Sequence, residues 1–136
     1  MCLALYVITD ITIENSKYDK NNPSMYIEDI DPVREKGVLK WRGGKRNCYY
    51  IGSSQGCGCG WAASEDKEDT EDYNTRVKDR KDLYNLLSKP GFRGSYLITC
   101  WDGEDWKDLA GEETLNIENI KDAGFPFKEL IRYTLE

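Results

Sequence analysis

The chain has 136 residues, of which 39% are hydrophobic and 32% are charged, and its formal net charge is −6. This composition is typical of one globular domain and excludes a disordered chain, and the acidic balance argues against binding to nucleic acid. Histidine is absent, which excludes Ser-His-Asp and Cys-His catalysis and removes the commonest metal ligand.

The start of the chain, MCLALYVITD, has no basic residue ahead of its apolar run, and Asp10 ends that run. A secretory signal begins with positive charge, so we expect no export signal. No apolar run approaches the roughly 20 residues of a membrane span, so no membrane contact is expected either. The five cysteines are an odd number that cannot pair completely within one chain. We therefore expect a cytoplasmic protein with reduced thiols and no disulfide network.

Three apolar segments predict strands of one sheet, and they are residues 2–9, 47–51 and 93–101. The first has no polar alternation, which indicates a central strand buried on both faces. Two shorter strands are expected at residues 25–30 and 128–135. The sequence VLKW at 38–41 is a candidate edge strand, followed by a turn at the two glycines 43 and 44.

Residues 64–88 carry the pattern of the main helix. The early turns are acidic and the later turns basic, as the helix dipole favours, and Ser64 is a suitable N-cap. Apolar side chains recur on one face at helical spacing. They are Tyr73, Val77, Tyr84 and Leu87, flanked by Leu83 and Leu86.

The order of these elements predicts the fold class. Two of the three apolar strands precede the helix, and the third, a short helix within residues 115–123 and a closing strand follow it. This order suggests an α+β fold, with a single mostly antiparallel sheet and one main helix packed on a face. No internal repeat or linker divides the chain, so residues 1–136 are expected to form a single domain.

The loop after the second buried strand, SSQGCGCGW at residues 53–61, is the strongest candidate site. Glycines allow successive backbone N–H groups to converge on a small anion, although the dinucleotide and P-loop fingerprints are absent. The candidate binding residues of this loop are Ser53, Ser54, Gly56, Cys57, Gly58, Cys59, Gly60 and Trp61.

Other interpretations of the loop remain open. Cys57 and Cys59 lie one residue apart, whereas structural zinc usually needs pairs at wider spacing, so no metal ligand is assigned. Their thiols are also candidates for redox or nucleophilic chemistry. Alternatively, the segment is only a tight turn whose cysteines are small buried hydrophobes and whose glycines allow positive φ and close packing under Trp61.

Charge is segregated along the sequence. Residues 34–46 hold six Lys or Arg against one acid, residues 64–72 hold six acids against one Lys, and residues 102–113 repeat that acidic balance. Such acidic tracts suit the attraction of a basic protein partner. The candidate contact residues are Asp102, Glu104 and Trp106, with Trp61 and Tyr73 as further exposed aromatic anchors.

Three motifs together resemble those of a group of small uncharacterised bacterial proteins. The motifs are the MC start, the block YIGSSQGCGCGW at residues 50–61 and the WDG turn at 101–103. The resemblance spans the chain and implies one intact domain in which the glycine loop is prominent. No activity is assigned to that group, so the resemblance implies no catalytic residues.

These features favour a small acidic cytoplasmic protein, of bacterial or phage origin, that binds and inhibits a protein partner without catalysis. An immunity protein or a counter-defence protein has this character, and it requires no metal and no cofactor. One alternative is a protein that binds or sequesters a small anionic ligand through the glycine and cysteine loop. Another is a cysteine-dependent hydrolase that uses the loop cysteines, or Cys2 after removal of Met1.

Overall fold

A computed structural model describes residues 3–30, 32–63 and 70–136 of the chain. The strands are β1 Leu3–Thr9, β2 Tyr26–Asp29, β3 Asn47–Gly52, β4 Tyr96–Trp101, β5 Gly111–Leu115 and β6 Ile131–Leu135. The α-helices are α1 Pro32–Val38 and α2 Glu71–Leu87. Short 3₁₀ turns occupy Leu39–Trp41, Gly58–Trp61, Pro90–Phe92 and Ile117–Lys121.

The six strands form one sheet in the order β2-β3-β1-β4-β6-β5. Every neighbouring pair is antiparallel except β5 and β6, which run parallel. β1 is central, because Leu5 pairs with Ile51 on one side and with Thr99 on the other. All seven residues of β1 are buried, as its apolar sequence predicts. The α+β fold with a mostly antiparallel sheet is therefore confirmed.

The two faces of the sheet are covered by different helices. Alternate residues of β1 point to opposite faces, so Leu5 packs with the α2 residues Leu83 and Leu87. Tyr6 packs on the other face with Val38 at the end of α1 and with Trp41. The main helix thus lies on one face as predicted, while α1 and the turn after it form a second, smaller layer.

The predicted edge strand at residues 38–41 is wrong, because this segment ends α1 and continues as the 3₁₀ turn Leu39–Trp41. In a helical conformation Val38 and Trp41 lie three residues apart on one face, and both are buried. A strand would instead point them to opposite sides. The Trp41 indole also donates a hydrogen bond to the Lys107 carbonyl at 2.9 Å, which fixes the turn against the following loop.

The main helix differs from its prediction at its start and in its buried face. It begins at Glu71, where the Thr70 hydroxyl caps the Tyr73 N–H at 3.1 Å, while the predicted cap Ser64 lies outside the described residues. Its buried residues are Asp79, Arg80, Leu83 and Leu87. The predicted apolar face is therefore only partly correct, because two charged side chains occupy its centre.

The C-terminal part of the fold contains a strand that the sequence did not predict. β5, GEETL, has three exposed residues in its middle and no apolar alternation. Its position at the edge of the sheet explains this pattern, since an edge strand need not bury a face. The expected short helix within residues 115–123 is the 3₁₀ turn Ile117–Lys121, and β6 starts at Ile131 rather than at residue 128.

Arg80 is fully buried and makes its hydrogen bonds to backbone carbonyls. Nη1 donates to Asp122 O at 2.9 Å and to Ile120 O at 3.4 Å, and Nη2 donates to Trp61 O and Phe125 O at 3.0 and 2.8 Å. The guanidinium also lies 4.4 Å from the centre of the Phe127 ring. Burial lowers its pKa to about 10, so it remains charged at neutral pH. Arg80 therefore joins α2 to two separate loops.

Replacing Arg80 with alanine is expected to lower the free energy of unfolding by about 3 kcal/mol or more, because several buried carbonyls lose their donor. Urea denaturation followed by tryptophan fluorescence measures this change. The neighbouring variant Lys81→Ala, at an exposed position, should stay within about 0.5 kcal/mol of the original protein. A loss below about 1 kcal/mol for Arg80→Ala would mean that the hydrogen bonds from Arg80 to these carbonyls are not needed for stability.

Candidate functional site

The loop after β3 turns back beneath the start of β1, and its glycines are required by close contacts. A Cβ atom at Gly52 would overlap the Tyr26 ring, and one at Gly58 would overlap the carbonyl oxygen of Leu3. Gly56 adopts φ of +82°, which favours glycine. At the end of the loop the fully buried Trp61 donates from its indole to Ile51 O at 2.8 Å. The loop is therefore packed into the core.

Several backbone N–H groups of this loop donate to acceptors within the loop. Ser53 N donates to Cys57 O at 2.8 Å, and Gly56 N donates to Ser53 O at 3.0 Å. The buried Ser53 hydroxyl donates to Cys57 O at 2.7 Å and accepts from Gln55 N at 3.3 Å and Gly60 N at 3.2 Å. In an anion-binding loop, N–H groups such as those of Gln55 and Gly60 would be left to donate to the ligand. Here the Ser53 hydroxyl accepts from both of them.

A carboxylate of the chain itself also binds this loop. Asp79 of α2 accepts from Ser54 N at 3.1 Å through Oδ1 and from the Ser54 hydroxyl at 2.8 Å through Oδ2. Burial raises the pKa of Asp79, and the two bonds from Ser54 partly oppose that shift. The loop therefore binds a carboxyl group of the chain itself, and Ser53, Ser54, Gly58, Gly60 and Trp61 are all buried. These five residues are packed in the interior rather than on an open surface.

The described cysteines divide between the loop and the sheet. Cys57 and Cys59 are half-buried, and Cys57 Sγ accepts from Cys59 N at 3.4 Å. Cys48 and Cys100 are free thiols in β3 and β4. Burial raises the pKa of Cys100 to about 12 and raises that of Cys48 as well, so both thiols are protonated at neutral pH. Cys2, the other candidate nucleophile, lies outside the described residues.

A metal site at the loop cysteines would need further ligand side chains nearby. Among residues 3–30, 32–63 and 70–136, no group of three or more Cys, Asp or Glu side chains is arranged to hold a metal ion. The loop cysteines therefore have no described third ligand of these types.

The acidic tract at residues 102–113 lies against the basic tract at residues 34–46. Five of its six acids form ion pairs with cations of the same chain. The pairs are Asp102–Arg34 at 2.8 Å, Glu104–Lys107 at 3.1 Å, Asp108–Lys40 at 3.1 Å, Glu113–Lys128 at 3.2 Å, and Glu112–Arg132. Much of the charge expected to face a partner is thus compensated within the fold. Most of the other acidic tract, residues 64–69, lies outside the described part of the chain.

Two large hydrophobic side chains are exposed in the described part of the chain, Trp106 by 63% and Leu39 by 49%. Their segments are held together, because Lys40 Nζ donates to Trp106 O and the Trp41 indole donates to Lys107 O. Gly37 packs so closely that a Cβ would overlap the carbonyl oxygen of Asp105. The Trp106 indole is therefore displayed on a loop that is fixed at its backbone.

We define the Trp106 surface as Trp106, Leu39, Asp102 and Glu104. Three of these residues were predicted as contact residues from the sequence. Leu39 was missed because its segment was expected to be a strand, whereas helical spacing turns Val38 and Trp41 inward and leaves Leu39 outside. Trp61 was wrongly expected to be exposed, and it is fully buried beneath the glycine loop. Tyr73 is half-buried on α2.

Comparisons with protein-family models, curated proteins and solved structures find no match to this chain. Within the described residues, no helix combines the length and apolar character needed to cross a membrane. A functional interpretation therefore depends on the geometry of the Trp106 surface and of the glycine loop.

Gly58→Ala is expected to lower the free energy of unfolding by about 3 kcal/mol or more, since the new methyl group would overlap the Leu3 carbonyl. The matched control Gln55→Ala changes an exposed side chain of the same loop and should have little effect. Thermal denaturation of the two variants provides the comparison. Equal melting temperatures would show that the loop can move away from β1.

Asp79→Asn is expected to change how stability depends on pH. Because the folded protein holds the Asp79 proton more tightly than the unfolded chain, its contribution to stability is largest at low pH. That contribution is lost as the pH rises from the unfolded pKa through the raised folded pKa. Urea denaturation across acidic to neutral pH should therefore show the asparagine variant gaining stability relative to the original protein as pH increases. A constant difference across this range would contradict the raised pKa of Asp79 in the folded protein.

Proposed function

We propose that this chain is a small acidic protein that binds and blocks a protein partner without catalysing a reaction. It acts in the cytoplasm in the manner of an immunity protein or a counter-defence protein. The Trp106 surface is its contact region, and the glycine loop supports the fold that presents this surface.

The exposed Trp106 indole is the observation that carries this proposal. Tryptophan is enriched among the few interface residues that supply most binding energy, and leaving it 63% exposed in water is costly unless a partner covers it. Its loop is already fixed by the bonds from Lys40 and Trp41. Binding through Trp106 therefore requires little additional ordering of the backbone, which favours affinity.

The net negative charge of the chain indicates that its partner is positively charged. The chain carries a net charge of −6, and that excess remains after its internal ion pairs are formed. Next to Trp106, the Asp108 carboxylate is 94% exposed and Asp102 is 47% exposed, so both can exchange their present pairs for cations of a partner. Exposed pairs of this kind contribute only about 0–1 kcal/mol to stability, so this exchange costs the fold little. A basic partner is therefore favoured.

The two alternatives have weaker support. A small anion would have to compete with Asp79 and the Ser53 hydroxyl for the donors of the glycine loop. A cysteine hydrolase would use Cys57, Cys59 or Cys2, and the chain has no histidine to serve as the base that commonly activates such a thiol.

Trp106→Ala is expected to weaken partner binding by about thirtyfold or more, because an interface anchor of this type contributes about 2 kcal/mol or more. The partner is first trapped with a photo-crosslinking amino acid incorporated at position 106, in cells that naturally produce the protein. Position 89, exposed after α2 in the opposite layer, receives the same amino acid as a control. Titration calorimetry with the purified partner then compares Trp106→Ala with Lys20→Ala.

The expected result is a basic protein crosslinked from position 106 but not from position 89, with normal affinity for the Lys20 variant. The association rate should fall as salt rises, because the attraction is long-range. Unchanged affinity of the Trp106 variant, or equal crosslinking from both positions, would contradict the proposed contact region.

A further inference from the structure

A polar cavity of about 360 Å³ lies between the end of β2, the α1 layer and the start of β3. Charged side chains of both signs line it. They are Asp29 and Glu35, which are acidic, and Arg42 and Arg46, which are basic. Asn47 and Cys48 form part of the wall contributed by β3. The cavity is separate from both the glycine loop and the Trp106 surface.

The two arginines have donors that the described part of the chain does not use. Arg42 makes one long bond, from Nη2 to Glu35 Oε1 at 3.5 Å, and its Nε has no acceptor there. Arg46 is exposed, and its guanidinium has no hydrogen-bonding partner among the described residues. Guanidinium groups bind carboxylates through paired N–H donors. One end of the cavity's ligand is therefore expected to be a carboxylate.

The two acids supply the opposite chemistry. One oxygen of Asp29 accepts from the Asn15 amide at 3.0 Å, which leaves the other oxygen available. The Glu35 side chain is 49% exposed, and among the described residues it accepts the single long bond from Arg42. Ammonium groups donate to carboxylates of this kind. A ligand with a positive end as well as a negative end satisfies both sets of side chains.

A ligand of one charge fits the cavity less well. A simple anion bound to Arg42 and Arg46 would be repelled by Asp29 and Glu35, and a simple cation would meet the reverse problem. The formal charges of these four side chains sum to zero. The volume lies at the lower end of the range for small-molecule sites, which limits the ligand to a small metabolite.

We propose that this cavity binds a small zwitterion of the α-amino acid type. Its carboxylate is held by Arg42 and Arg46, and its ammonium group by Asp29 and Glu35. The inference does not depend on the proposed partner binding, because none of these four residues belongs to the Trp106 surface.

The test uses the intact protein and two-dimensional ¹H–¹⁵N NMR titrations with L-alanine, L-leucine and L-glutamine. Acetate and ethylammonium serve as probes that carry only one of the two charges. At least one of the amino acids should shift the amide signals of Asn47 and Cys48 in a saturable manner. Acetate and ethylammonium should each bind about tenfold more weakly or worse, since each satisfies only half of the site.

Variants then assign the two ends. Arg46→Gln and Asp29→Asn should each weaken binding of the best amino acid by about tenfold, while Arg93→Gln, an exposed arginine elsewhere, should leave it unchanged. Circular dichroism verifies that all three variants fold. The proposal is overturned if none of the three amino acids shifts these signals, if acetate binds as tightly as the amino acids, or if the Arg93 variant weakens binding as much as the Arg46 variant.

Discussion

The burial of two adjacent ionisable side chains on α2, Asp79 and Arg80, is the constraint on which the arrangement of the chain depends. The described structure does not pair them with each other; both bind the glycine loop, and Arg80 also binds the C-terminal segment. Asp79 binds Ser54 in the glycine loop, and Arg80 binds four backbone carbonyls that begin with Trp61 and extend through residues 120–125. Leaving either polar side chain unsatisfied in the interior would be costly, so α2, the loop and the C-terminal segment are held in one geometry.

This constraint determines where the molecule can interact with other molecules. Asp79 accepts from Ser54, and the Ser53 hydroxyl accepts from Gln55 N and Gly60 N, so a small anion would compete with acceptors of the chain itself for these donors. In the described part of the chain, the opposite face of the sheet carries α1 and the short turn after it, with Leu109 and Leu130 packed against them. Around that layer lie the exposed Trp106 and the charged cavity lined by Arg42. The better candidates for binding are therefore on the side away from the main helix.

Ion pairs between distant segments change how the charge pattern of the sequence is interpreted. The sequence contains one basic tract and two acidic tracts, and the acidic tracts were expected to attract a basic partner. In the fold, Arg34 pairs with Asp102 and Lys40 pairs with Asp108. Trp41 and Gly37 bring the two tracts together through backbone contacts. The sequence shows which residues are charged, but it does not show which opposite charges lie close together in space. The internal pairing of the two tracts is therefore known only from their contacts in the fold.

The sequence by itself determined the central strand, the main helix and the α+β class, because the period of apolar residues depends on local geometry. It also identified Trp106 as a candidate contact residue. The tertiary structure alone decided that α1 replaces a strand, that β5 forms at an edge, and that Asp79 and Arg80 are buried. These outcomes have one physical reason. A charged side chain or a weak strand is stabilised by groups far away in the sequence, and their positions are set only when the whole chain packs.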